Sequence, residues 1–389
     1  MKNVYILAIL IFLSSSCFAQ RSTFNKGGII VKNYYQEIPY ESAGGYLFVF
    51  PEIQGIKQKF LVDTGAPAQI SAELSKTLGL KTISTAGVTD ASGNKSELEI
   101  VILPEIKLGG LSFNTFPALV SSSELYACMQ LDGVIGSNIL RNTIIQIDPI
   151  KHLIIFTDDD SKLNLTKEHV TAISFGEPQS YPYINTGFGG KAVQTVGLDT
   201  GSPYFIVMAE SHAQKFLKNS TLEKIASGYG SNSRSLSGSQ KPDSLYRVQI
   251  PALHIAGTEF TNIITETNKS SKTRIGTKLM LQGVTTLDFI HKRFYFDFKD
   301  TGEKPDSSLW PVKFNVSNQK LIIGGVWDNM KSQINLGDEV ISIDDQPTDT
   351  ITFCEWFNKK SAEVMSKKNM TIKVKDTAGA IKTIRLDRG

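Results

Sequence analysis

Cysteine is scarce in this 389-residue chain, which has only Cys17, Cys128 and Cys354. So few exclude a disulfide-stapled scaffold. Cys128 and Cys354 lie in stretches that read as different domains, so both are expected unpaired, as small apolar core residues. Histidine is nearly as rare. His152, His169, His212, His254 and His291 show no metal-ligand spacing, which leaves packing or surface roles and no expected metal or cofactor. Neither a nucleophile elbow nor a phosphate loop is present. A charge bias is also missing: 41 Lys and Arg against 38 Asp and Glu leave a net charge of +3, spread along the chain. That gives no reason to expect nucleic acid or an acidic membrane surface as partner. No apolar run is long enough to span a bilayer.

The N-terminus has the texture of a targeting segment. Lys2 supplies a positive charge, Val4 to Leu13 an apolar stretch too short to cross a membrane, and Cys17-Phe18-Ala19 a small-x-small cleavage site. Residues 1–19 are therefore expected to be a signal peptide and the rest an exported protein. Lipidation at Cys17 is the less favoured reading, because Ser14 stands where a lipobox prefers Leu.

What remains has an ordinary globular composition, 41% hydrophobic and 20% charged, with length for two or three domains. Its organising feature is a repeat. Phe60-Leu61-Val62-Asp63-Thr64-Gly65-Ala66 returns as Val196-Gly197-Leu198-Asp199-Thr200-Gly201-Ser202. One Asp-Thr-Gly is a weak signal; two, each closing an apolar strand, are a strong one. Pro251 to Phe260 overlays Pro104 to Phe113 without a gap, and Ile275 to Phe296 overlays Ile135 to Phe156, matching Gly276 to Gly136 and Asp288 to Asp148. Short alternating strands dominate both copies, so the expected class is mainly β, with two duplicated lobes at 20–165 and 166–305. Ser71 to Leu78 reads as a helix with Ser71 as N-cap and Gly79 as its stop. Arg21 to Ser42 reads as a polar lead-in. Gly87 to Ser96 reads as a hairpin, and Ser227 to Gln240 as its flexible counterpart. After a polar break at Asp300 to Ser308 the texture changes, and 306–389 reads as a small α+β module with a helix over Thr352 to Lys367.

Two carboxylates from related lobes can meet on the axis between them. They then share one proton and their pKa values split. One accepts a proton from water while the other donates to a carbonyl oxygen, which hydrolyses an amide with no metal and no covalent intermediate. Asp63 and Asp199 are the candidates, the titration belonging to the pair. Gly65 and Gly201 let backbone approach the carboxylates. Thr64 and Thr200 are placed to hold their planes.

The chain resembles the aspartic proteases, pepsin-like and retropepsin-like, over roughly residues 45 to 300. The residues that carry the resemblance are Phe60 to Ala66, Leu198 to Ser202 and Asp132-Gly133-Val134-Ile135-Gly136, the last similar to the family's hydrophobic-hydrophobic-Gly brace. It implies a catalytic pair Asp63 and Asp199, a cross-lobe brace Thr64 and Thr200, extended polypeptide substrates and a monomer carrying both half-sites. The handed-down expectation of a split pKa comes with that family. Two departures stand out: Arg274 replaces the first apolar residue of the second brace, and only Tyr229 offers itself as a flap tyrosine. Asn335-Leu336-Gly337-Asp338-Glu339-Val340-Ile341-Ser342-Ile343-Asp344 resembles the Leu-Gly-Asp turn of PDZ domains attached to bacterial proteases. That implies a peptide added as a strand, gripped near Trp310 to Phe314. The resulting expectation is an exported bacterial endopeptidase, periplasmic or extracellular. The alternative is a peptide-binding protein on the same scaffold that does not cut.

Overall fold

The computed structural model describes residues 24–231, 234–235, 238–301, 309–348 and 350–389. The expected leader lies outside these residues, as does most of the polar break at Asp300 to Ser308. The fold is mainly β.

Each half of the sequence repeat builds the same strand arrangement. In the first, Phe60–Asp63 pairs in parallel with Gly133–Gly136. Gly133–Gly136 also runs antiparallel to Gln69–Ser71, which pairs in parallel with Phe116–Ser121. In the second, Ala192–Leu198 pairs in parallel with Arg274–Ile275. Arg274–Ile275 runs antiparallel to Ile206–Ala209, which pairs in parallel with Thr258–Asn268. The apolar residues before each Asp drive this. Phe60, Leu61, Val62, Val196 and Leu198 are all buried, so the strands that end in Asp63 and Asp199 are fixed on both faces.

The halves join through one antiparallel ladder, Ile144–Asp148 against Gly283–Asp288. The two sequence blocks are offset by 140 residues, and Gln146 faces Thr286, its own counterpart at that offset. The pseudo-two-fold axis therefore passes between these two residues. Gln146 Nε2 donates to Thr286 Oγ1 across it at 2.9 Å. A single apolar core runs through both halves, from Leu47 and Phe60 to Leu287 and Phe296.

The helix over Ala72–Thr77 forms as its sequence predicts. Ser71 Oγ accepts the amide of Leu74, and Gly79 leaves the helix at φ +62°. The second half has a longer helix, Glu210–Lys218, which buries Ala213 and Phe216. The lead-in is more regular than its polarity suggests: Tyr35–Pro39 adds a strand beside Leu153–Thr157, with Ile38 buried.

Residues from Trp310 onward build a core of their own around Trp310, Ile323, Val340, Trp356 and Ile372. Helical turns run from Phe353 to Ser366, where a helix is expected. They open on a capping box formed by Thr352 and Glu355. This module is tied to both halves. Its strand Lys320–Trp327 pairs with Glu223–Gly230 of the second half. Arg247 lies 4.1 Å over the Trp327 ring, and Glu266 takes Arg247 at 3.0 Å and Lys313 at 2.7 Å.

On the first half the tie is covalent. Cys128 and Cys354 form a disulfide, which corrects the expectation that both are unpaired. The helix that carries Cys354 packs Phe353 and Phe357 onto the apolar patch of Leu125, Tyr126 and Met129. That contact brings the two cysteines to a Cα separation of 4.9 Å, within bridging range. No helix among the described residues is long and apolar enough to cross a membrane.

Candidate active site

The two Asp-Thr-Gly turns meet face to face. Thr64 N donates to Thr200 Oγ1 at 2.9 Å, and Thr200 N donates to Thr64 Oγ1 at 3.1 Å. Each hydroxyl then donates to the opposite strand, Thr64 Oγ1 to Leu198 O at 2.7 Å and Thr200 Oγ1 to Val62 O at 2.8 Å. Both threonines are fully buried. Four reciprocal bonds with no solvent competition fix one turn against the other.

The glycines show how close the approach is. A Cβ on Gly65 would fall 2.5 Å from Cγ of Asp199, and one on Gly201 would fall 2.3 Å from Cγ of Asp63. Each turn thus passes its backbone under the other's carboxyl, which only glycine permits. Gly65 N donates to Asp63 Oδ1 at 2.8 Å and Gly201 N to Asp199 Oδ1 at 3.0 Å. The two carboxyls lie close enough to shift one another's protonation. All six residues singled out in the sequence, Asp63, Thr64, Gly65, Asp199, Thr200 and Gly201, are therefore in one constellation.

Two acids this close cannot both ionise. Burial, then the charge of Asp199, pushes the Asp63 carboxyl up to about 8. Burial also raises Asp199, but three partners oppose it: the Arg274 guanidinium first, then the Gly201 amide and the bond from Asp63. The Arg274 guanidinium lies 3.3 Å from Asp199 Oδ2, so the surroundings of the two acids are unequal and favour the charge on Asp199.

Around the pair lies a cavity of about 240 Å³, lined on its floor by Asp63, Asp199 and Arg274 and on its walls by Tyr46, Tyr126 and Tyr204. Two hairpins roof it. Ser84–Thr89 and Lys95–Leu103 form the first, whose residues Val88 to Ala91 line the cavity. Glu223–Gly230 and Asp243–Ile255 form the second, which carries Ser235 into the same cavity. The tips touch: Ser92 N donates to Ser235 Oγ at 3.1 Å, and Asn94 Nδ2 to Ser239 O at 3.3 Å. Each half thus supplies a flap. Tyr229 is not the flap tyrosine. It stands about half exposed on the second hairpin, in the strand that pairs with the C-terminal module, and lines no part of the cavity.

A second cavity, about 490 Å³, lies between the second half and the C-terminal module. It shares Pro203, Tyr204 and Arg274 with the first and adds Trp310, Lys313, Ala362 and Met365 from the module. Sequence reasoning missed the tyrosines and Gln179, whose side-chain amide donates to Gly65 O at 3.0 Å. They come from separate elements, Tyr46 from the strand Tyr46–Val49, Tyr126 from the helix Glu124–Met129, and Tyr204 and Gln179 from loops, and no shared motif marks them. Arg274 alone had left a signal, as the polar residue in an apolar slot. Apart from the carboxyl pair, Asp160, Asp288 and His291 form an acidic cluster. Asp288 caps the turn there, accepting His291 N at 2.8 Å, and the cluster lies outside both cavities.

No curated protein matches the chain. Among solved structures, it is similar to an aspartic proteinase from Irpex lacteus, at 13% identity over 70% of this chain and 100% of that one, with a TM-score of 0.45. It is also similar to Basic 7S globulin from soybean, at 12% identity over 70% and 99%, with a TM-score of 0.40. Residues 51–139, which hold Asp63-Thr64-Gly65 and its bracing strand, match the family model described as Aspartyl protease.

Proposed function

We propose that the chain is an aspartic endopeptidase that cuts extended polypeptides with a water activated by Asp63 and Asp199. The observation that carries this reading is the reciprocal bonding of the two Asp-Thr-Gly turns, which brings two buried carboxyls into contact at the floor of a roofed cavity. In the singly protonated pair, the ionised carboxylate takes a proton from water as its oxygen attacks the carbonyl carbon. The protonated carboxyl gives its proton to the carbonyl oxygen. Collapse of the resulting diol returns a proton to the leaving nitrogen. The match of residues 51–139 to the Aspartyl protease model supports the same chemistry.

The remaining roles are part of this proposal. Residues 1–19 direct export, to the periplasm or beyond, and the chain acts as a monomer. The C-terminal module works as a PDZ-like peptide holder. In its favour, the second cavity joins its strand Val312–Ser317 and its helix Ser361–Ser366 to the first through Tyr204 and Arg274.

Incubating the protein with denatured polypeptides from acid to neutral pH tests the reading. Cleavage that disappears in both Asp63→Asn and Asp199→Asn, by about 10²–10⁴-fold or more, is expected. Saturable peptide binding with no cleavage at any pH would replace the enzyme with a binding protein.

A further inference from the structure

The two half-sites differ at one paired position. In the first half, Leu61 of the Asp63 strand faces Val134 of the brace. Both are buried, in an apolar cluster with Phe48, Leu125 and Met129. In the second half the same two positions, set by their distances from Asp199 and Gly276, are Gly197 and Arg274, again facing each other. The exchange is of two medium apolar side chains for none and a long charged one. Gly197 has no room for more: a Cβ there would lie 2.1 Å from the Tyr181 hydroxyl.

Strand alternation does the rest. Ile275 turns into the core, and Arg274 turns toward the carboxyl pair. Its Nε lies 3.3 Å from Asp199 Oδ2, an ion pair that is not aligned as a hydrogen bond. Its Nη1 donates to Ser270 Oγ at 3.1 Å, which anchors the guanidinium. Arg274 is only 8% exposed, so little water screens its charge.

We propose that Arg274 is a positioning residue that holds the negative charge on Asp199 and thereby assigns the roles within the pair: Asp199 takes the proton from water, and Asp63 donates to the carbonyl oxygen. This rests on the aspartic endopeptidase reading. The other ionisable groups around the pair, among the described residues, are Tyr46, Tyr126, Tyr181 and Tyr204, with Asp90 lining the cavity from the first hairpin and Lys272 over the Tyr181 ring at 4.8 Å. Burial first, then neighbouring charges, those of the carboxylates for Tyr126 and Tyr181 and of Tyr204 before them for Tyr46, raises these phenols well above their ordinary value. They stay neutral where the carboxyls titrate. Arg274 is the cation in direct contact with Asp199, and it acts more strongly on Asp199 than on Asp63, where it is the weakest influence.

The sign of the effect follows. A cation beside the pair favours each of its anionic forms, so both of its apparent pKa values lie lower with Arg274 than without it. The test compares kcat/KM across pH for the unmodified protein, Arg274→Met and Arg274→Lys on one peptide substrate. Both limbs of the bell-shaped profile are expected to move up by about 1–3 pH units in Arg274→Met. Arg274→Lys keeps the charge and should move less. A drop in activity that is equal at every pH, with both limbs in place, would overturn the proposal and leave Arg274 as packing. Should the unmodified protein cut nothing, the endopeptidase reading fails but this one remains testable. The thermal midpoint is then followed against pH in Asp63→Asn and in Asp63→Asn/Arg274→Met, where Asp199 is the lone acid of the pair. An inflection about one unit or more higher in the double variant supports the proposal, and an inflection at the same pH overturns it.

Discussion

The two lobes are nearly interchangeable at the level of backbone and sharply different in what stands on it. The Asp-Thr-Gly turns mirror each other to within 0.2 Å in their cross-lobe bonds, 2.9 against 3.1 Å and 2.7 against 2.8 Å. Yet beside Asp63 lies an apolar pair, Leu61 and Val134, and beside Asp199 a glycine and an arginine. The flaps differ as well. Ser84–Thr89 is the outer strand of its sheet, paired only with its hairpin partner. Its counterpart Glu223–Gly230 is covered by a strand of the C-terminal module. Duplication supplies the symmetric frame that brings the acids together. Divergence then gives one acid a cation and one flap a support, so a symmetric pair of groups need not act symmetrically.

The symmetric part should break equally from either side, with the largest effects. Thr64→Val and Thr200→Val each remove a hydroxyl that donates one buried bond and accepts another, and each orphans a buried amide and a carbonyl. At about 1–3 kcal/mol per orphaned group, each variant should lose about 2–6 kcal/mol of stability and most cleavage. Denaturant unfolding of the two should agree within error. A large difference would mean that one threonine, not the reciprocal set, holds the turns.

The disulfide tests the support given to one side. Cys128→Ala/Cys354→Ala should cost about 2–4 kcal/mol, read from the denaturation midpoint under oxidising conditions. The strand pairing of Glu223–Gly230 with Lys320–Trp327 is expected to survive, since Arg247, Glu266 and Lys313 hold it independently. Amide exchange should therefore rise on the first flap and around Leu125 to Met129 before it rises on the second flap. Equal loss on both would show that the module acts as a single clamp.

Asp63→Asn sharpens the inequality of the acids. Asp63 is raised to about 8 in the fold, so between its unfolded value near 4 and pH 8 the folded state binds a proton that the unfolded state does not. Stability from this group is present at acid pH and lost as pH rises through that window. The asparagine variant loses this group's slope and keeps only what Asp199 contributes. It should match the parent at about pH 4 and exceed it by on the order of a few kcal/mol at pH 8. Asp199→Asn should gain less, because it strands the buried Arg274 guanidinium without its carboxylate.

Much of this was written locally. Asp63 and Asp199 could be read because each closes an apolar strand and is followed by the two residues its turn requires. The Ala72–Thr77 helix could be read because Ser71 caps it and Gly79 ends it. What could not be read depends on which distant segments meet. Cys128 and Cys354 are 226 residues apart, and nothing near either announces that the module folds back onto the first lobe. The strand Tyr35–Pro39 hides in a polar stretch because only one of its five residues is buried and its partner lies more than a hundred residues on. Arg274 was visible as an exception to an apolar pattern, but its meaning lies in Asp199, which it faces, while the place opposite at Gly197 is filled by the Tyr181 hydroxyl.

The smallest expected effect bears on how much the residues on the axis itself add to the coupling of the lobes. Gln146 and Thr286 are the same position in the two copies and meet on the axis, joined by one buried 2.9 Å hydrogen bond. As with Leu61 and Gly197, the copies have diverged here, but the divergence makes a bond instead of a charge. Gln146→Leu and Thr286→Val each lose that bond, and a double-mutant cycle isolates it from the packing changes. A coupling of about 0.5–1.5 kcal/mol is expected, independent of pH because neither side chain ionises. A coupling of zero would leave the cross-lobe attachment to the other contacts, among them the backbone ladder, the shared apolar core, the two threonines, Gln179 and the flap tips. In that case the axis residues are free to vary, while Thr64 and Thr200 are not.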